Sequence, residues 1–104
     1  MRTTLFLALA FAAGCAHAAP ARKPARLGLC AACHGEDGRA RVPGAPNLAG
    51  QNVDYLLNAL HDYKTDARNV AVMRAATGPL SETEMQQLAH WYASLPCAPS
   101  APAH

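Results

Sequence analysis

Cys30-Ala31-Ala32-Cys33-His34 is the stretch on which the reading of this chain turns. On a helix, residues three apart share a face, so both thiols reach one edge of a flat macrocycle and add across its vinyl groups. His34 follows at once and presents an imidazole to a central iron. Two cysteines, two spacers and an adjoining histidine are the pattern for covalent attachment of one haem c. Two rival readings of the same residues are weaker. A thioredoxin-like dithiol needs strands in a βαβ setting, and no strand pattern is visible. A structural zinc site needs a second pair of ligands at defined spacing, which Cys97 alone, in a Pro/Ala-rich tail, does not supply.

Upstream, residues 1–18 read as a signal peptide: Arg2, an apolar run from Leu5 to Ala13, then Ala16-His17-Ala18, with cleavage after Ala18 or Ala19. The run falls short of the roughly 18 residues of a spanning helix. The mature protein is therefore expected outside the cytoplasm, in the periplasm. Ala12-Ala13-Gly14-Cys15 gives a competing reading as a lipoprotein box, in which Cys15 is lipidated and the protein is anchored to a membrane. Pro20 and Pro24 make an extended lead-in, with order expected from about Ala25.

The 104 residues allow one domain, expected over residues 19–95, with residues 96–104 as a flexible tail. A domain of this size buries little apolar surface from its own chain and needs a staple, which a haem provides. Nine basic against seven acidic residues leave no clustered basic stripe, which excludes a nucleic-acid partner. Between His34 and Gly50 the density of glycine and proline predicts a loop wrapped around something. Val53, Leu56, Leu57 and Leu60 then mark one helical face, with Asn52 as N-cap and Asp54 in the first turn.

A second loop is expected over residues 65–79, ending at Gly78-Pro79, which stops any helix that forms inside it. Ser81-Glu82-Thr83-Glu84 is a capping box, with Leu80 and Met85 as its hydrophobic staple. The helix it opens carries Met85, Leu88, Tyr92 and Leu95 on one stripe, with Trp91 beside it, and ends before Pro96. The fold class is all-α: helices and long loops around one covalent haem.

The iron's sixth position decides the chemistry, because a bound side chain excludes substrate whereas an open position admits gases or peroxide. Met73, in the second loop, is the candidate ligand. Met1 leaves with the signal, and Met85 has a packing role. The competing reading of Met73 is a methionine that only fills a gap. His61 and His90 lie within helices among polar neighbours and read as solvated surface residues.

Taken together, these residues resemble class I c-type cytochromes, especially the cytochrome c4 and c553 group. The resemblance runs from Leu29 to Leu95 and rests on Cys30 to His34 with Gly35-Glu36-Asp37-Gly38, Pro46-Asn47-Leu48-Ala49-Gly50-Gln51, Tyr55-Leu56, Tyr63-Lys64, Arg68, Met73, Leu80-Ser81 and Leu88 to Leu95. It implies that the Pro46 carbonyl accepts the His34 imidazole proton, that Met73 is the axial ligand opposite His34, and that Tyr63, Arg68 or Asn69 lies near the propionates.

The stretch before Cys30 departs from the family pattern, so the first helix should be short, with Leu27 and Leu29 meeting Trp91 or Tyr92. The function expected is single-electron transfer by Fe(III)/Fe(II) cycling with His34 and Met73 on the iron, between redox protein partners and without enzymatic chemistry. Arg39, Arg41, Arg68 and Arg74 would favour an acidic partner, although a solvated surface is the ordinary reading of scattered charges. The alternatives are an electron-accepting haem subunit of a larger dehydrogenase, or an open-site peroxidase-like or gas-binding protein. Cys97 is either an idle thiol or a link between two chains.

Overall fold

A computed structural model describes residues 21–97; the expected signal peptide, Cys15 and most of the expected tail lie outside the described residues. Among the described residues there are four helices and no strand: α1 (Leu27–His34), α2 (Val53–Lys64), α3 (Ala71–Thr77) and α4 (Glu82–Ser94). None is long and apolar enough to cross a membrane. α2 is the hub, packing against both α3 and α4.

Helix starts follow local chemistry where a capping side chain exists. The Asn52 side chain accepts the Tyr55 amide at 3.0 Å at the head of α2, which satisfies one of the orphan N–H groups there. α4 opens on the full capping box: Ser81 Oγ accepts the Glu84 amide at 3.1 Å and the Glu84 carboxylate accepts the Ser81 amide. Leu80 and Met85 are both buried beside it, as a hydrophobic staple requires.

The core is Leu27, Leu56, Leu80, Met85, Leu88, Ala89 and Tyr92, with Cys30, Ala31, Leu48, Val53, Leu57, Leu60, Trp91 and Leu95 packed against it. α1 enters through Leu27, which is 1% exposed. Leu29, by contrast, is 66% exposed, so the expectation that both leucines meet α4 fails. Residues two apart point to different sides of a helix, and the face that carries Leu27 continues through Cys30 and Ala31.

Two further expectations change. The lead-in is ordered earlier than Ala25: Pro24 is buried, its carbonyl accepts the Leu27 amide, and ion pairs from Lys23 to Glu36 and Arg26 to Glu84 flank it. The loop over residues 65–79 contains α3, so Met73 sits on a helix. Ala71, Met73, Arg74, Ala75 and Ala76 are good helix formers, and Gly78-Pro79 ends the helix as expected.

Candidate functional site

α1 carries Cys30, Cys33 and His34 within its last turn and a half. Both thiols are free and half-buried. Burial pushes the Cys30 thiol up from its ordinary value, against a smaller lowering by a backbone hydrogen bond. His34 is 7% exposed, and its Nδ1 lies 2.9 Å from the Pro46 carbonyl oxygen. A carbonyl only accepts, so in the neutral ring the proton is on Nδ1 and the Nε2 lone pair is left for a metal. The twelve-residue partner implied by the resemblance is thus found in place.

The chain between them is held from several sides. Gly35 has φ 77°, and a Cβ there would stand 2.3 Å from the Arg39 carbonyl oxygen, so only glycine turns the chain out of α1 at this point. The Arg41 amide returns to the Cys33 carbonyl at 2.8 Å, the Ala40 amide donates to Asn47 Oδ1 at 2.8 Å, and the Leu48 amide donates to the Gly38 carbonyl at 2.8 Å. These cross-links make residues 35–52 a fixed loop and bring Pro46 beneath the imidazole.

α4 contributes two contacts that sequence reading assigned only to packing. Trp91 Nε1 donates to the Glu36 carbonyl at 2.9 Å and Tyr92 Oη donates to the Gly35 carbonyl at 3.0 Å. Burial pushes the Tyr92 phenol well up, so it stays a donor. Neighbouring aromatic residues with polar tips were the available signal, since buried Tyr and Trp usually find a partner for the tip.

Met73 is half-buried on α3, a separate element that packs against α2. Of the other candidate ligands, His61 lies 2.6 Å from Glu82 and spans α2 and α4, and that hydrogen bond lowers the Glu82 carboxyl. His90 is exposed. Arg68 stacks over the Tyr63 ring, 4.8 Å from its centroid. Arg41 pairs with Asp37 and Arg74 with Asp66, so much of the scattered positive charge is locally matched, in keeping with a solvated surface. Cys97 is exposed, its sulfur against Gly50. Among the described residues no three His, Cys, Asp or Glu side chains gather as a metal cluster.

Two free thiols on one helical face, a histidine with its tautomer set for ligation and an all-helical frame define the class as a protein of covalently bound haem. The donors fit the group, two thiols for thioether bonds and one imidazole nitrogen for iron. The chain belongs to the cytochrome c family, whose model matches residues 23–96, and haem c is the cofactor of that family.

It is 41% identical over 83 residues to cytochrome c4 of Pseudomonas aeruginosa, an alignment covering 78% of this chain and 41% of that protein. It is 36% identical over 72 residues to cytochrome c-554(548) of Halomonas halodenitrificans, covering 66% of this chain and 87% of the relative. It is also 36% identical over 101 residues to the cytochrome subunit of sulfide dehydrogenase of Chlorobaculum tepidum, covering 86% and 90%. The chain spans about two fifths of the length of the cytochromes c4 it matches.

Proposed function

We propose that the protein is an exported, periplasmic single-haem electron carrier, with Cys30 and Cys33 as attachment points and His34 and Met73 as axial ligands. The observation that carries the reading is the His34–Pro46 hydrogen bond, which orients the ring and leaves its other nitrogen free to ligate a metal. Bound there, haem c supplies a one-electron Fe(III)/Fe(II) couple. The chain's own work is to hold ligands. Pro46 keeps the proton on His34 Nδ1, the core keeps water from the ring, and the Met73 thioether would be the second side chain to hold the iron, where it would favour the reduced state. No substrate is bonded or transformed, and the partners are redox proteins.

The test is an optical spectrum of the full exported protein, oxidised and reduced, with and without carbon monoxide. A covalent low-spin spectrum that ignores carbon monoxide is expected, and Met73→Ala should make the reduced protein take it up. A parent spectrum that shifts readily, or a variant that matches its parent, would move the assignment to an open-site gas-binding or peroxidase-like protein.

A second reading has its own support. The sulfide dehydrogenase cytochrome subunit aligns over nine tenths of its length, which favours this chain as an electron-accepting subunit of a larger dehydrogenase. Co-purification from the native membrane and soluble fractions separates a bound subunit from a free carrier. Labelling by lipid precursor shows whether Cys15 anchors it.

A further inference from the structure

α3 has seven residues and no side-chain N-cap, and a helix that short does not hold itself in place. Where it lies is decided by its attachments. Its C-terminal joint runs through Gly78, Pro79 and Leu80 into the N-cap of α4, and Pro79 has no N–H to offer. The ammonium of Lys64, an exposed residue in the last turn of α2, donates to two of the three carbonyls of this joint: to Gly78 at 3.0 Å, and to Leu80. The Gly78 oxygen, at the C-cap of α3, is one that a helix end leaves without an intrahelical partner, and a cation there also offsets its partial negative charge; the Leu80 oxygen belongs to the link into α4.

From the joint the bonding leads back to the methionine. The Gly78 amide donates to the Arg74 carbonyl at 2.9 Å, and Thr77 Oγ1 donates to the Met73 carbonyl at 2.8 Å. Thr77 is 1% exposed, so this inner link is fixed in the packed interior. The other charged tie on α3, Asp66 to Arg74 at 2.9 Å, has side chains 40% and 58% exposed and is weakened by solvent.

We propose that Lys64 is a positioning residue for the axial methionine: by clamping the α3–α4 joint it sets how firmly the Met73 sulfur is held on the iron. The inference rests on Met73 as ligand. A thioether is neutral and hangs on a flexible side chain, so its hold depends on where α3 presents it. Lys64 thereby acts on ligation without touching the iron.

The test uses the full-chain holoprotein and three readouts: the ferric sulfur-to-iron charge-transfer absorption, carbon monoxide affinity of the reduced protein, and the midpoint potential. Lys64→Met should weaken the absorption, lower the potential and raise carbon monoxide affinity about tenfold, the weight of one charge-assisted hydrogen bond. Lys64→Arg, which keeps donors for both carbonyls, should restore the parent values. Glu82→Gln loosens the same α2–α4 seam at the His61 pair and removes a carboxylate near Lys64, but it leaves the ammonium its carbonyls and should shift all three far less than Lys64→Met.

If Lys64→Met does not accumulate, Lys64→Gln, too short for both carbonyls, should move the readouts the same way. Parent values in Lys64→Met or Lys64→Gln would overturn the proposal, as would equal shifts in Glu82→Gln. Met73→Ala keeps the two layers apart. If it leaves the absorption intact, the ligand assignment itself falls, whereas loss there with no effect at Lys64 removes only the clamp.

Discussion

The two sides of the proposed iron site, the His34 side and the Met73 side, are built differently. On the histidine side, His34 belongs to a helix anchored in the core by Leu27, its ring is oriented by Pro46, and the next two carbonyls are taken by Tyr92 and Trp91. On the methionine side, Met73 rides on a seven-residue helix with no side-chain cap, tied by Lys64 and by an exposed ion pair. The first is determined several times over, and the second by few bonds near solvent. The difference teaches where such a protein is expected to yield: ligand exchange at the methionine, with the histidine staying in place.

The comparison breaks most visibly through Leu27. Leu27→Ala removes the one α1 side chain in the buried core and should destabilise the holoprotein by about 2–5 kcal/mol, read from chemical unfolding. A loss comparable with an exposed leucine would mean that α1 is held by the haem bonds alone. Tyr92→Phe is narrower, leaving the Gly35 carbonyl only the Gly38 amide, at 3.3 Å, as a partner inside the protein. It should cost about 0.5–1.5 kcal/mol with the low-spin spectrum unchanged, because His34 keeps Pro46.

The smallest effect belongs to the methionine side. Asp66→Asn removes the exposed ion pair to Arg74 and should change stability by no more than about 1 kcal/mol, less still at high salt. A larger cost would show that the exposed pair, and not the Lys64 clamp, carries α3.

Much of the histidine side is legible in the chain as written. The spacing of Cys30, Cys33 and His34, the Asn52 cap and the Ser81–Glu84 box are local, and the bonds they make lie within a few residues. The methionine side was less so. Residues 65–79 carry glycine and proline at one end and no capping side chain at the other, so α3 left little mark beyond its alanines. Leu29 misled because it is as apolar as Leu27, and only helix phase against the core separates them.

By itself, then, the sequence determined the attachment motif, the all-helical class and the helices that announce their own starts, because each rests on neighbours along the chain. Only the tertiary structure decided which carbonyls Trp91 and Tyr92 reach, 55 and 57 residues away, and that Lys64 spans 14 and 16 residues to the joint beyond Met73. A buried donor takes whatever acceptor the packing brings to it, and that choice is made by the fold of the whole chain.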